Sequence, residues 1–454
     1  MKKKIFQLVT VAILPLVALA GCSSKESAKP KENKDQNTIE VWLTPQWKGT
    51  YKGDEKGADY DSFFKTAAKM YEKENPGKKI KVQVIPGEER DSKLSVATQT
   101  KTLPDVFFES SFAISNLAHQ GLLAPLDSVI DEKSKADIGQ SVWDNVSIKD
   151  KTYFYPFAQN PGMLVYNAEM FKKAGLEKYV AGEQNIASWT TDDFQTILTK
   201  LKDSDDKVAP LGFYAKNNQG DTWTMMYLRM FGGKFFDKEG KLAINDKNGV
   251  KALEYIKELN DKKIITSGAE SLTSNDVNAM FQNKQVAISF TNAVLYKGMM
   301  DSMEAGTVNK FDARLANVPS VDGPKSFTYV LGSAVFNTNG DKRTKLAKDF
   351  VKYYSENEEL IKASMNFMPV RKSLVEKEKA NNPLLETYIN NDEYVINFSN
   401  NSPSYVEIRN ALFPELQAVL TGEKSPKEAL NAFVEKGNKA VEDGLKNSKA
   451  LNDK

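Results

Sequence analysis

Between Thr38 and Ser110 the hydrophobic period switches repeatedly, and that alternation restricts the fold more than any other feature of the chain. In "TIEVWLTP", Ile39, Val41 and Leu43 alternate with Glu40 and Trp42, a period of two that predicts a strand. In "YDSFFKTAAKMYEKENPG", Phe63, Phe64, Ala67, Ala68 and Tyr71 share one helical face, ended by Asn75-Pro76-Gly77. "KIKVQVIPG" returns to the strand period, "SKLSVATQT" reads as helix, and "PDVFFE" reads as a short buried strand. Strand, helix, strand, helix, strand predicts a parallel sheet with crossover helices. Such sheets bind ligands beyond the carboxyl ends of their strands. Three loops fall at that edge: "TPQWKGTY" with Trp47, "PGEERD" with Glu88, Glu89 and Arg90, and "ESSF" with Glu109 and Ser110.

The rest of the chain continues the alternation. "SWTTDDFQTILTKL" predicts a helix with Thr190 and Asp193 at capping-box spacing, and "NGVKALEYIKELN" a second amphipathic helix. "FFDKEGKLAIND" reads as a hairpin turning at Glu239-Gly240, and "KQVAISFTNA" as a strand ending in a polar turn. Tyr405, Ile408, Leu412, Leu416 and Val419 form a helical stripe, and "SPKE" starts another helix with Ser425 as N-cap. A chain of 454 residues exceeds one small domain and suits two α/β lobes.

Composition removes several function classes. Sixty-two bases against sixty acids, interspersed, leave a net charge of +2 and no basic arm for nucleic acid. One cysteine excludes an internal disulfide and thiolate zinc sites, and one histidine, His119, argues against most His-dependent triads. His119 in "AHQGLL" reads as a surface or packing residue, and Asp203, Asp205 and Asp206 lack the glycine-containing pattern of a calcium loop. No P-loop or dinucleotide glycine motif occurs, so no metal and no cofactor is expected.

The single cysteine, Cys22, ends an apolar run that follows three lysines within Met1–Lys4. Leu19-Ala20-Gly21-Cys22 resembles the lipobox of bacterial lipoproteins. The resemblance implies a signal peptide over 1–21, cleavage before Cys22, thioether lipidation there and acylation of the new amine. Several acyl chains are needed for durable membrane holding. After Cys22, residues 23–37 are Ser, Lys, Glu, Asn, Asp and Pro with almost nothing apolar, so 22–37 is expected to be a disordered tether. As a flexible tether the segment spans roughly 20–25 Å.

Taken in order, "LPDVFFES", "LAHQGLLAPLD", "YPFAQNPGMLVYNAEMFKKAGL", "SWTTDDFQTILTKL", "FGGKFFDKEGKLAIND", "MFQNKQVAISFTNA", "LGSAVFNTNGDKRTKLAKDFVKYYSENEE" and "NFMPVRKSL" resemble the maltose-binding-protein-like solute-binding proteins of carbohydrate ABC importers. The resemblance covers nearly everything after Thr38. It implies a two-lobed periplasmic-binding-protein-like α/β fold, with lobes joined by crossing segments near Tyr155–Asn160, near Tyr329–Ser333 and after Arg371. The lobes would comprise 38–157 with 333–388, and 158–332 with 389–454. It further implies a monomer that captures a mono- or oligosaccharide by lobe closure and delivers it to transmembrane permease subunits, lipid-anchored outside the cell membrane and without enzymatic activity.

A sugar offers apolar C–H faces and a rim of hydroxyls, so its cleft needs rings and planar polar groups. Trp47 is the loop aromatic at the ligand edge, whereas Trp42 sits inside a strand and suits sheet packing. Trp223 and Tyr405 match family segments that carry rings over the sugar. Glu109 and Ser110 match a hydroxyl-binding position, and Asn292, Gly332 and Arg371 match cleft-lining ones. Gln159 and Asn160 fall where some relatives carry a ligand-facing carboxylate, which this chain therefore lacks. Glu88, Glu89 and Arg90 read either as a solvated turn or as cleft residues. Two other readings share these residues. One is the same scaffold holding a charged solute; the other is a lipoprotein glycoside hydrolase with paired carboxylates.

Overall fold

The computed structural model describes residues 35–50, 57–216 and 223–452. Cys22, the expected signal peptide and most of the expected tether lie outside the described residues. The chain divides into units 1–36 and 37–454, and the second carries all the described strands and helices.

The opening alternation folds as its periods dictate. Strand β1 (Thr38–Leu43) is followed by helix α1 (Ser62–Glu74), strand β2 (Lys79–Val84), helix α2 (Arg90–Thr100), strand β3 (Val106–Ser110) and helix α3 (Ser111–His119). β1 lies between β2 and β3 and is parallel to both. α1 buries Phe63, Phe64, Ala67, Ala68 and Tyr71, the face its spacing marks. Trp42 is 5% exposed within β1, as sheet packing requires.

Strand β4 (Tyr155–Asn167) is thirteen residues long, although it contains Pro156 and Pro161. Helix α4 (Thr191–Ser204) carries the expected capping box of Thr190 and Asp193. Helix α5 (Ser274–Gln282), strand β5 (Val286–Asn292) and helix α6 (Ala293–Glu304) then run almost without a break. Strand β6 (Ser326–Val335) precedes helix α7 (Asp341–Glu356), and helices α8 (Tyr405–Leu420) and α9 (Pro426–Lys446) come near the end. α9 starts at Ser425, whose capping box with Glu428 is complete. "FFDKEGKLAIND" forms a turn at Gly240, but only one bridge, Phe236 to Leu242, pairs its arms.

All but two short strands join one mixed sheet. β6 pairs antiparallel with β3 on one side and with β4 on the other, and β4 pairs antiparallel with β5. Two large apolar cores form around this sheet. The first draws on residues between Ile39 and Ala158, on Val330 to Val370 and on Ala450. The second draws on residues between Leu164 and Val318, on Phe327 and on Phe398 to Val441. β4 and β6 therefore supply residues to both: Tyr155, Phe157, Val330 and Leu331 to the first core, Leu164, Tyr166 and Phe327 to the second. Ala450 packs in the first core with Leu451 against it, so the last helix (Lys449–Asn452) departs from the expected 389–454 grouping. The short helix lets the end of the chain cross back.

His119 is 4% exposed at the end of α3. Its Nδ1 lies 2.7 Å from Ser448 Oγ and its Nε2 2.9 Å from the Asn401 carbonyl, and burial pushes its pKa below the ordinary value. Asn401 in turn accepts from Ser115 Oγ, while its Nδ2 donates to the carbonyls of Asp144 and Ser147. The only histidine thus packs as a joint between distant segments.

Candidate functional site

A cavity of about 310 Å³ opens where the two cores meet. Each loop at the carboxyl edge of the first sheet sends at least one residue into its wall: Gln46 after β1, Arg90 after β2, and Glu109, Ser110 and Phe112 at the end of β3. The opposite wall is Trp223, Ser274, Asn275 and Asn278 on or before α5, and Asn292, Val294 and Leu295 at the β5–α6 junction. Asn160 of β4 and Tyr329 and Leu331 of β6 form the floor between them, and Phe367 closes one end.

The first wall is held rigid by a saturated carboxylate. Glu109 is 5% exposed. Its Oε1 accepts from Ser110 N at 2.8 Å and Ser110 Oγ at 2.9 Å. Its Oε2 accepts a short bond from Thr44 Oγ1 and lies 3.8 Å from the Arg90 guanidinium. Gln46 Nε2 donates to Thr44 Oγ1 at 2.8 Å, extending the chain to the loop after β1. Burial opposes the charge of Arg90, yet the Asp91 side chain and the Glu109 field raise its pKa above the usual guanidinium value. The one cation among the described residues of this wall is therefore answered by Asp91 and Glu109 together.

The second wall offers hydrogen-bond donors. Asn292 caps α6 by accepting from Leu295 N at 2.9 Å, and Asn160 Oδ1 accepts from Val294 N at 3.2 Å. Each keeps its Nδ2 without a protein acceptor among the described residues. Trp223 is 5% exposed and stacks on Phe290 at 5.9 Å between ring centroids. Its buried Nε1 has no partner among the described residues. A buried N–H left unmade is costly. Phe112 adds an apolar surface, propped by Tyr329 at 5.3 Å and Tyr405 at 5.8 Å.

The pattern of the family described as bacterial extracellular solute-binding protein matches residues 54–360, more than half of the chain. The chain belongs to that family. The arabinooligosaccharide-binding protein of Bacillus subtilis is 24% identical over 394 residues, which cover 84% of each protein. A solute-binding protein of Thermotoga lettingae, crystallised with α-D-tagatose, superimposes with a TM-score of 0.70 at 21% identity, covering 89% of this chain and 100% of that one. The GacH receptor of Streptomyces glaucescens, solved unliganded and with acarbose, gives 0.68 at 21% identity, covering 89% and 98%. These likenesses establish the two-lobed α/β fold with its cleft.

Within this solute-binding fold, the expected site residues separate into two groups. Arg90, Glu109, Ser110, Trp223 and Asn292 line the cavity. The others lie outside its wall, each for a physical reason. Trp47 is half-buried among Phe63, Phe108, Phe157 and Phe367, with centroids 5.3–6.3 Å away, so its ring packs behind the cavity-lining Phe367. Tyr405 is 2% exposed and stands behind Phe112, with the Arg409 guanidinium carbon 5.3 Å from Phe112 and 5.4 Å from Tyr405. Gln159 is buried within β4, paired with Val330 and Met368. Gly332 meets Pro156 at a register shift between β6 and β4, where a Cβ would fall 2.0 Å from the Tyr155 carbonyl oxygen. It is glycine because the strands approach so closely. Arg371 is buried in the first core, donating to the Ser355 carbonyl and lying 3.5 Å from Asp137. Glu88 and Glu89 stay exposed on the turn before α2.

Several cavity residues carry a weak sequence signal or none. Asn275 and Asn278 are amides at i and i+3 on one helix, a spacing that marks a shared face. Tyr329, Leu331 and Phe367 look like ordinary core residues and become wall only because β6 and the segment after α7 pass along the cavity. Among the described residues no cluster of three or more His, Cys, Asp or Glu forms a metal site.

Proposed function

We propose that this protein captures a neutral carbohydrate between its lobes and delivers it to the permease of an ABC importer. The observation that carries the reading is the cavity itself, where the amides of Asn160, Asn275, Asn278 and Asn292 stand beside the rings of Phe112, Trp223, Tyr329 and Phe367. Planar donors and apolar faces suit hydroxyl-bearing rings. Relatives known to bind an arabinooligosaccharide, tagatose and acarbose support the same chemistry. The pairing of Arg90 with Glu109 favours an uncharged ligand over a charged solute. Glu109 is the one carboxylate among the described residues of the wall, whereas glycoside hydrolysis needs two acids about 5–10 Å apart. The function is therefore binding and release, with no bond broken.

In this reading 38–157 with 333–388 makes one lobe, and 158–332 with most of 389–454 makes the other. β4 and β6 are the hinge. Contacts to both walls exist together only when the lobes are closed, so ligand shifts the population toward the closed form. The protein acts as a monomer, without nucleic acid or cofactor.

A thermal-shift screen across sugars tests the reading. A ligand at 100 times its Kd adds about 2.7 kcal/mol of stability, and the melting temperature rises accordingly. Turnover of a glycan would favour the hydrolase instead, and binding lost steeply with salt would favour a charged solute.

The anchor forms a second part of the proposal. Cys22, lipidated after cleavage, holds the protein at the outer face of the cell membrane. No helix among the described residues is long and apolar enough to cross one. Cys22→Ser should release the protein into the medium or leave its leader uncleaved; membrane retention identical to wild type in a fractionation assay refutes the anchor.

A further inference from the structure

We propose that the ligand is a linear oligosaccharide whose chain leaves the inner cavity past Phe367 and lies in a second, larger groove. The proposal rests on the carbohydrate reading and adds the length and path of the sugar. The groove encloses about 1190 Å³, against about 310 Å³ for the cavity. Sites for small ligands span roughly 300–1,000 Å³, so the inner cavity alone sits at the bottom of that range.

The two spaces abut through three shared elements. Phe367 lines both. The loop after β1 gives Gln46 to the cavity and Lys48 to the groove. The start of α6 gives Val294 and Leu295 to the cavity, and Ala293, Tyr296 and Lys297 to the groove. A chain held at one end by the cavity therefore needs no turn away from the protein to reach the groove.

The chemistry of the groove repeats that of the cavity. Its apolar surface comes from Tyr296, Met300, Phe311, Leu384 and Tyr388. Its planar polar groups are Gln184, Asn366, Asn381 and Asn382. Asn382 is half-buried and spends no side-chain bond on capping the helix Pro383–Asn390 that follows it. Asn366 Nδ2 donates to the Ala363 carbonyl at 3.0 Å, which leaves its Oδ1 for a ligand hydroxyl. Two of the charged groups along the groove are matched locally: Lys297 lies 2.6 Å from Asp301, and Arg314 bonds Asp312 and lies 3.3 Å from Glu183. Amides and apolar faces suit further uncharged sugar units.

Isothermal titration of the full chain with two homologous series tests the proposal: α-1,4-glucans and α-1,5-arabinans, each from one to six units. In a series that binds, affinity should rise at least 10-fold between the two-unit and the four- or five-unit members. Asn382→Ala and Met300→Trp, the latter at a position 38% exposed in the groove, should abolish that rise and leave the affinity of the shortest binding member unchanged. Equal affinity across lengths, or variants that weaken every length alike, overturns the groove as part of the site. So does a screen in which only monosaccharides stabilise the protein. Absence of stabilisation by any sugar overturns the carbohydrate reading itself, which keeps the two failures distinct.

Discussion

Asp105→Ala is expected to destabilise the protein by about 3–5 kcal/mol, the range for removing one partner of a buried ion pair. Asp105 is 1% exposed immediately before β3. Its carboxylate accepts from Arg343 Nε at 2.9 Å and, by a shorter bond, from the second guanidinium nitrogen. It also accepts from Asn339 Nδ2 at 3.0 Å and from Glu40 N at 2.8 Å. One carboxylate thus ties β1, the start of β3 and α7 together. The substitution strips the buried Arg343 of its carboxylate and leaves Glu40 N unanswered, while Asn339 Nδ2 keeps the carbonyls of Leu103 and Pro104. Asp105→Asn keeps the shape and part of the bonding, so its loss should be smaller. The same strand carries Glu109 at its other end, roughly 13 Å away at the usual rise per residue. Ligand affinity below the unfolding transition should therefore change little. Calorimetry reads the first effect and titration the second; an unaltered transition in the alanine variant would show that the pair contributes nothing.

Trp223→Ala is expected to lower ligand affinity at least about 30-fold, or about 2 kcal/mol, as loss of a buried aromatic anchor does. It should also destabilise the unliganded protein by about 3–5 kcal/mol, because the ring packs on Phe290 and its removal leaves a void. Trp223→Phe separates the two effects. It keeps an aromatic ring for packing on Phe290 while deleting the unpartnered Nε1–H together with part of the indole. Affinity should fall by about 5- to 10-fold, the worth of one neutral hydrogen bond, while the unliganded melting temperature falls less than in the alanine variant. Wild-type affinity in the phenylalanine variant would mean that Nε1 donates nothing to the ligand.

The fold is legible where periodicity is strong. Alternation in β1 and β2, the apolar stripe of α1 and the cap residues Thr190 and Ser425 each depend on near neighbours in sequence. The parallel opening sheet then places the edge loops by a general rule, and Gln46, Arg90 and Glu109 reach the cavity from them. Legibility fails where packing between distant segments decides. Trp47 looks like a free loop aromatic until Phe63, Phe157 and Phe367 surround it. Tyr405 looks ready to cover a ligand, but Phe112 stands in front of it. Gly332 marks a close approach of strands rather than of a ligand. The amides of α5 give no warning, because polar residues on a surface helix ordinarily face water.

The first core contains residues from Ile39 to Ala450, and the second from Leu164 to Val441. Each gathers segments from widely separated parts of the chain. A ribosome adding about 5–20 residues each second needs roughly 20–90 seconds to make the whole polypeptide; the first core lacks residues as far as Val370 for most of that time, and the second lacks residues as far as Val441. Long-range contacts of this kind also slow folding, because distant segments must meet before they gain anything from packing. The polypeptide therefore remains pliable for most of its synthesis and becomes a rigid trap only at the end.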